Sequence, residues 1–243
     1  MTPGQLVHAV AVALDVSEGT VVLHDRNLAA AGLRTKGGRG PSAAKVTPLD
    51  AARLFVATLT SVKVTDSVEM LQTFEALRFD PAYPTAEIAA TRGRAFSDPA
   101  VLALPPDHNL VDAIAALIGD ASRPPVDQVQ YLQRFASLMV TCETPWARAD
   151  ITHFERPITT AHYRRPSRPS SGADVPFIPD PPVYQMYMHA YGVRQRRAAT
   201  GSAIILLGKA FREDGLDFET PREAMDDLMG VKKPANKSKK KAA

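Results

Sequence analysis

Apolar residues recur at helical spacing through the first quarter of the chain. Leu6, Val10 and Leu14 stand four apart behind Thr2 and Pro3, a cap and a first-turn proline that predict a helix over 2–14. Asp15 and Val16 form a tight turn, and Ser17 can accept from the amides that follow it, so a second helix is predicted over 17–31 with Gly32 as its left-handed cap. Within that helix Val21, His24, Leu28 and Ala31 share one side, while Gly19, Leu23, Arg26 and Asn27 fall opposite with no apolar partners nearby in sequence. The first set anchors the helix and the second is free to touch something. Thr47-Pro48-Leu49-Asp50 then gives a cap, a proline and an early acid for a third helix. Its buried side is Ala51, Leu54, Phe55 and Thr58, and it is expected to close a small domain near Ser61.

Further along, Val68, Leu71, Phe74 and Leu77 predict a helix over 65–77, one that either dimerises or packs onto the rest of the chain. Prolines at 81, 84, 99, 105 and 106 chop the next stretch into short pieces, with a brief helix around 85–91. Helices are predicted over 109–118 and 126–135. The β-branched run from Ser137 to Glu143 and the alternating stretch from Ala147 to Phe154 read as a hairpin with Trp146 near its tip. Residues 164–182, rich in proline, serine and arginine, read as an exposed loop. Thr200 caps a helix over 201–211 with Ile204, Leu207 and Phe211 inward, and Thr220-Pro221-Arg222-Glu223 opens a last one to 229. The expected class is therefore α+β, mainly α, divided as 1–61, a connecting helix and proline-rich linker over 62–106, a mixed helix and strand domain over 107–230, and a disordered tail over 231–243.

Charge changes this picture at two places. The chain of 243 residues carries a net +3, yet its last twelve residues hold six lysines and no acid, so the body is slightly acidic and the high isoelectric point lives in the tail. That tail is either a solubilising extension or a salt-sensitive arm for a polyanion, and the acids Glu213, Asp214, Asp217, Glu219, Glu223, Asp226 and Asp227 just before it could hold it when no polyanion is bound. The second place is Arg34-Thr35-Lys36-Gly37-Gly38-Arg39-Gly40, a flexible basic loop or small hairpin directly after the second helix. The single cysteine, Cys142, excludes an internal disulfide framework and lies in an apolar run as a packed thiol. With no signal peptide pattern and no apolar stretch long enough to span a bilayer, a soluble cytoplasmic protein is expected, with no membrane partner.

Ala11, Leu14, Val16, Ser17, Thr20, Val21 and Leu28, followed by Gly32-Leu33, resemble the helix-turn-helix pattern A-x-x-L-G-V-S-x-x-T-V, and the basic glycine loop resembles the wing of winged helix-turn-helix transcription regulators. The likeness covers about the first fifth of the chain, with Asp15 where the turn glycine usually stands and with Leu23 and Asp25 where recognition helices often carry arginine. It implies a sequence-specific regulator of transcription, associated with the nucleoid, that binds double-stranded DNA as a homodimer or higher homo-oligomer and answers to a small-molecule or protein effector through its C-terminal domain. The contact residues would be Ser17, Gly19, Thr20, Leu23, Arg26 and Asn27 in the major groove, with Arg34, Lys36, Arg39 and Lys45 on the backbone or in the adjacent minor groove. A phage-type small terminase subunit, which also joins a helix-turn-helix to an oligomerising region, is the alternative. Catalysis finds little support. The six histidines show no metal-ligand spacing, and there is no phosphate loop and no serine elbow, so no cofactor and no metal are expected. His153, His162, Tyr163 and Arg164 read either as a ligand surface or as ordinary exposed polar residues. Acids converging in space, as in a nuclease, would instead predict dependence on a divalent metal.

Overall fold

The structure, a computed structural model, describes residues 1–35, 45–80, 98–144, 147–154, 159–165, 195–218, 220–228 and 230. The first two helices are α1 (Pro3–Leu14) and α2 (Glu18–Ala30), the third is α3 (Pro48–Thr60), and a 3-10 turn (Val64–Asp66) leads into α4 (Ser67–Glu75). A two-residue strand β1 (Arg78–Phe79) and a one-turn helix α5 (Pro99–Leu102) precede α6 (Leu110–Ala121) and α7 (Gln128–Ala136). Strands β2 (Leu138–Thr144), β3 (Arg148–His153), β4 (Thr159–Arg164) and β5 (Gln195–Thr200) follow, then α8 (Gly201–Arg212) and α9 (Pro221–Leu228). The class is α+β and mainly helical.

Local chemistry sets the helix starts. Thr2, Thr47 and Asn109 each close a reciprocal capping box with the residue three positions on, Gln5, Asp50 and Asp112, which satisfies two otherwise orphaned amides at each start. The five strands form one antiparallel sheet in the order β1-β4-β3-β2-β5. The register places Val140, Ile151 and Ala161 side by side on one face, with Cys142, Ala149 and Tyr163 in the next row, all buried. The other face carries Thr141, Asp150 and His162 in one row and Met139, Thr152 and Thr160 in another.

The predicted hairpin over 137–154 is β2 and β3. β4 and β5 were not foreseen, because their segments, TTAHYR and QRRAAT, lack the apolar alternation that marks a half-buried strand. Pairing with the hairpin supplies what the sequences do not. The helix expected at 85–91, Trp146, the loop at 166–182 and the tail from 231 lie outside the described residues.

The division at residue 61 is not a break in the core. α3 is buried nearly all round, with Ala51, Ala52, Leu54, Phe55, Val56, Ala57 and Leu59 among its buried residues, and such a helix needs cover on most sides. It receives this cover from α1 and α2, from α4 and α6, and from the ends of β2 and β5. α1 in turn packs on α8, which is buried nearly all round. One contiguous core therefore runs from Leu6 to Ala210. The helix predicted over 65–77 takes the packing alternative, with Leu71, Phe74 and Leu77 buried against it.

Candidate nucleic-acid interface

The junction of α1 and α2 is built as the sequence predicts. Asp15 sits in the left-handed region at φ 53° and ψ 46°. Its amide donates to Val12 O at 3.4 Å and that of Val16 to Ala11 O at 3.0 Å, the paired bonds that end a helix and turn the chain sharply. Ser17 then caps α2, its hydroxyl accepting from the Thr20 amide at 3.4 Å and lying 2.7 Å from the Thr20 hydroxyl. The far end closes the same way, with Gly32 at φ 75° and the Leu33 amide donating to Leu28 O at 2.9 Å.

Between these ends α2 buries Val21, His24, Asp25 and Leu28. It exposes Gly19, Leu23, Arg26 and Ala30 as a ridge at successive helical turns. Leu23 is 47% exposed. A side chain added at Gly19 would meet nothing within 4 Å. Ala31, expected among the anchors, is exposed.

Two expected contact residues are spent inside the protein. Asn27 donates from Nδ2 to Val64 O at 2.8 Å, so its amide nitrogen braces α2 against the turn that follows α3. Arg34 faces Asp25, Nε to Oδ1 at 2.7 Å with both side chains largely buried, and this pair replaces the expected phosphate contact. Burial pushes the Asp25 carboxyl above the usual range, and the Arg34 guanidinium only partly offsets it. The second acid of α2, Glu18, is drawn to His8 Nδ1 at 3.0 Å. Among the described residues Arg26 has no ion-pair partner, so the helix presents one exposed cation without a carboxylate against it. Lys45 is exposed, and Lys36 and Arg39 lie outside the described residues.

The stems of the basic loop meet at a carboxylate that sequence reading took only as a dipole-matching acid. Asp50 is 3% exposed. It accepts from the Thr35 amide at 2.8 Å and hydroxyl at 3.0 Å, and from the Thr47 amide and hydroxyl, both at 2.8 Å. Burial pushes its carboxyl up, but these four hydrogen bonds outweigh it and hold it below the usual carboxylate range. Thr35 and Thr47, on either side of the basic segment, are thus tied to one buried anion. Arg53 adds a second tie, from Nη1 to Leu33 O at 3.3 Å and from Nη2 to Glu75 at 2.8 Å.

On the other flank of α2, Val64 O accepts from both Asn27 and the Ser67 hydroxyl. With its own proton committed there, Ser67 accepts from His24 Nδ1 at 2.7 Å. His24 is pushed down by burial and then by the nearby Arg197, which suits a neutral imidazole. Arg197, reaching from β5, donates to Ser61 O at 2.7 Å and Leu59 O at 3.3 Å and so finishes the C-terminus of α3.

Two other polar groupings are structural in geometry. Asp98 takes both guanidinium arms of Arg134, at 2.8 and 2.9 Å, lies 3.2 Å from His153 Nε2, and caps the Ala100 amide at 2.9 Å. Ser137 stands 3.4 Å from His153 Nδ1 but also donates to Arg134 O at 3.0 Å. On the outer sheet face His162 Nδ1 lies 2.6 Å from Asp150. His153, His162 and Tyr163 are buried and Arg164 is exposed, so the reading as ordinary exposed positions fits Arg164 and not the other three. Burial pushes the Cys142 thiol up, and the carboxylates of Asp150 and Glu143 push it further, as befits a packed thiol. Among the described residues no group of three or more His, Cys, Asp or Glu side chains could hold a metal, and no helix is long and apolar enough to cross a membrane. Compared with protein-family models, curated proteins and solved structures, the chain matches none.

Proposed function

We propose that this chain binds double-stranded DNA through α2 and acts as a sequence-specific regulator of transcription, in the manner of a winged helix-turn-helix protein. One observation carries the reading: α2 turns outward from a left-handed Asp15 with its acids bonded within the protein and the ridge of Gly19, Leu23, Arg26 and Ala30 exposed among the described residues. A helix of this diameter fits the major groove. Arg26 is placed to bond a guanine edge or a phosphate, Leu23 to meet a thymine methyl, and Gly19 to let backbone approach closely, with Ser17 and Thr20 at the helix start beside the DNA backbone. Lys45, with Lys36 and Arg39 from the same loop, supplies the wing. A single ridge of this length reads few base pairs, so a homodimer on a symmetric site is the expected assembly.

The test is selection of bound sequences from a random DNA pool with the full-length chain and an Arg26→Ala variant in parallel. Enrichment of a motif that the variant loses at one position, at a cost of about 1–3 kcal/mol, is the expected result. Binding without enrichment, equal in the two proteins, would overturn base reading by α2 and leave a packaging or architectural role. Absence of binding would overturn the reading altogether.

A further inference from the structure

The side chains that brace α2 within the protein point to a second contact element. Asn27, His24 and Asp25 project from two flanks of α2, and each flank holds a neighbouring segment in place. On the Asp25 side that segment is Arg34 and the base of the basic loop. On the Asn27 side it is the turn over 62–66. Its Val64 carbonyl accepts from Asn27 and Ser67, Ser67 is bonded by His24, and its leading end at Ser61 is tied by Arg197. The turn is therefore fixed against the recognition helix at Val64 and Ser67 and against β5 at Ser61. What it displays is Val62, 57% exposed, and Lys63, also exposed and without an ion-pair partner among the described residues. The acid in the turn, Asp66, is partly buried and accepts from the Thr65 hydroxyl at 2.9 Å.

We infer that the turn over 62–66 is a backbone clamp, in which Lys63 contacts a phosphate of the same double-stranded DNA that receives α2, on the flank opposite Asp25 and Arg34. The inference rests on the DNA-binding reading above and extends it, giving the recognition ridge an exposed cation on its Asn27 flank. A helix lying in the major groove runs between two phosphate backbones, and a lysine beside only one flank would leave the other uncontacted. Asn27 acts here as a positioning residue: it sets where Lys63 stands.

The experiment measures affinity for a selected duplex and for an unrelated one between 50 and 200 mM salt, using the full chain, Lys63→Ala, Asn27→Ala, Arg26→Ala and, as an exposed basic control on α9, Arg222→Ala. Thermal unfolding of each variant confirms that it is folded. Lys63→Ala is expected to lower the slope of log affinity against log salt by about 0.9, one phosphate's worth, and to weaken both duplexes alike. Over that salt range the gap to the parent chain should close by about three-fold. Asn27→Ala should reproduce part of this slope change and add little in the Lys63→Ala background, while Arg222→Ala leaves the slope unchanged. If Arg26→Ala weakens binding and Lys63→Ala leaves the slope alone, the clamp is wrong and the α2 reading stands. If Lys63→Ala lowers the slope and Arg26→Ala is inert, α2 is not the reading helix and the placement of the clamp beside it falls too. No binding by the parent chain overturns both.

Discussion

Asp15 shows how one residue can decide the geometry of a surface. Its left-handed backbone ends α1 and aims α2 outward, at a conformational cost of roughly 1–2 kcal/mol for most L-residues and less for aspartate. Replacing it by glycine removes that cost but frees the unfolded chain. Asp15→Gly should therefore stabilise the protein by up to about 1 kcal/mol, and Asp15→Val should destabilise it by about 1–2 kcal/mol. Urea unfolding with an unchanged m-value checks both; a valine variant as stable as the parent would mean the turn is held by its surroundings and not by this residue. The turn was legible in sequence because its signal is local. The roles of Asn27 and Arg34 were not, since an amide or a guanidinium on a helix edge looks the same whether it faces solvent or a carbonyl folded back from position 64. Asp50 is a similar case. Its place at the third position of a helix was readable, but its four hydrogen bonds to two threonines depend on the base of the loop closing over it.

Among elements, the positions of α6, α7 and α8 follow from two close approaches. A side chain at Gly208 would stand 2.5 Å from Ala121 at the end of α6, and one at Gly201 would stand 1.9 Å from Phe135 O near the end of α7. Seven residues apart on one face of α8, the two glycines let that helix cross the ends of both others at backbone contact. Gly208→Ala is favoured by helix propensity, yet it must push α6 away, and overpacking of this kind costs about 1–3 kcal/mol. A lowered thermal midpoint is expected, whereas a raised one would show that α6 yields freely. The helices themselves were readable from caps and periodicity, including the buried set Leu110, Ile114 and Leu117 of α6. The strands were readable only where they were apolar. β5 lies at an edge of the sheet and carries a polar sequence, and nothing in such a segment distinguishes an edge strand from a loop until its partner is known.

For the molecule as a whole, a core shared between α1, α2, α3 and the sheet means that the acid limit of the entire chain can be set far from the candidate interface. Asp98 is the strongest case. Its side chain is fully buried, and burial alone would raise its carboxyl, but hydrogen bonds from His153 and Arg134, with the Arg134 charge, hold it at about 2 against an ordinary 3.8. Because the folded value is the lower one, the unfolded chain takes up the proton first as pH falls. The contribution is complete above about pH 4 and is lost between about pH 4 and pH 2, and it amounts to about 2 kcal/mol. Asp50 and Asp150 are depressed in the same direction and add to acid sensitivity, so a single profile does not isolate Asp98; a comparison with Asp98→Asn does. The asparagine variant should be less stable at pH 6 by about 3–5 kcal/mol, because Arg134 loses its buried partner and keeps only Asp120. Its stability should also fall less steeply from pH 4 downward, so that the difference between the two proteins narrows as the solution is acidified. Urea unfolding of both proteins at half-unit steps from pH 6 to pH 3 measures this directly. Parallel curves would show that Asp98 is not the residue whose protonation releases the junction of α5, α7 and β3, and would move the acid limit to Asp50 and the base of the loop beside α2.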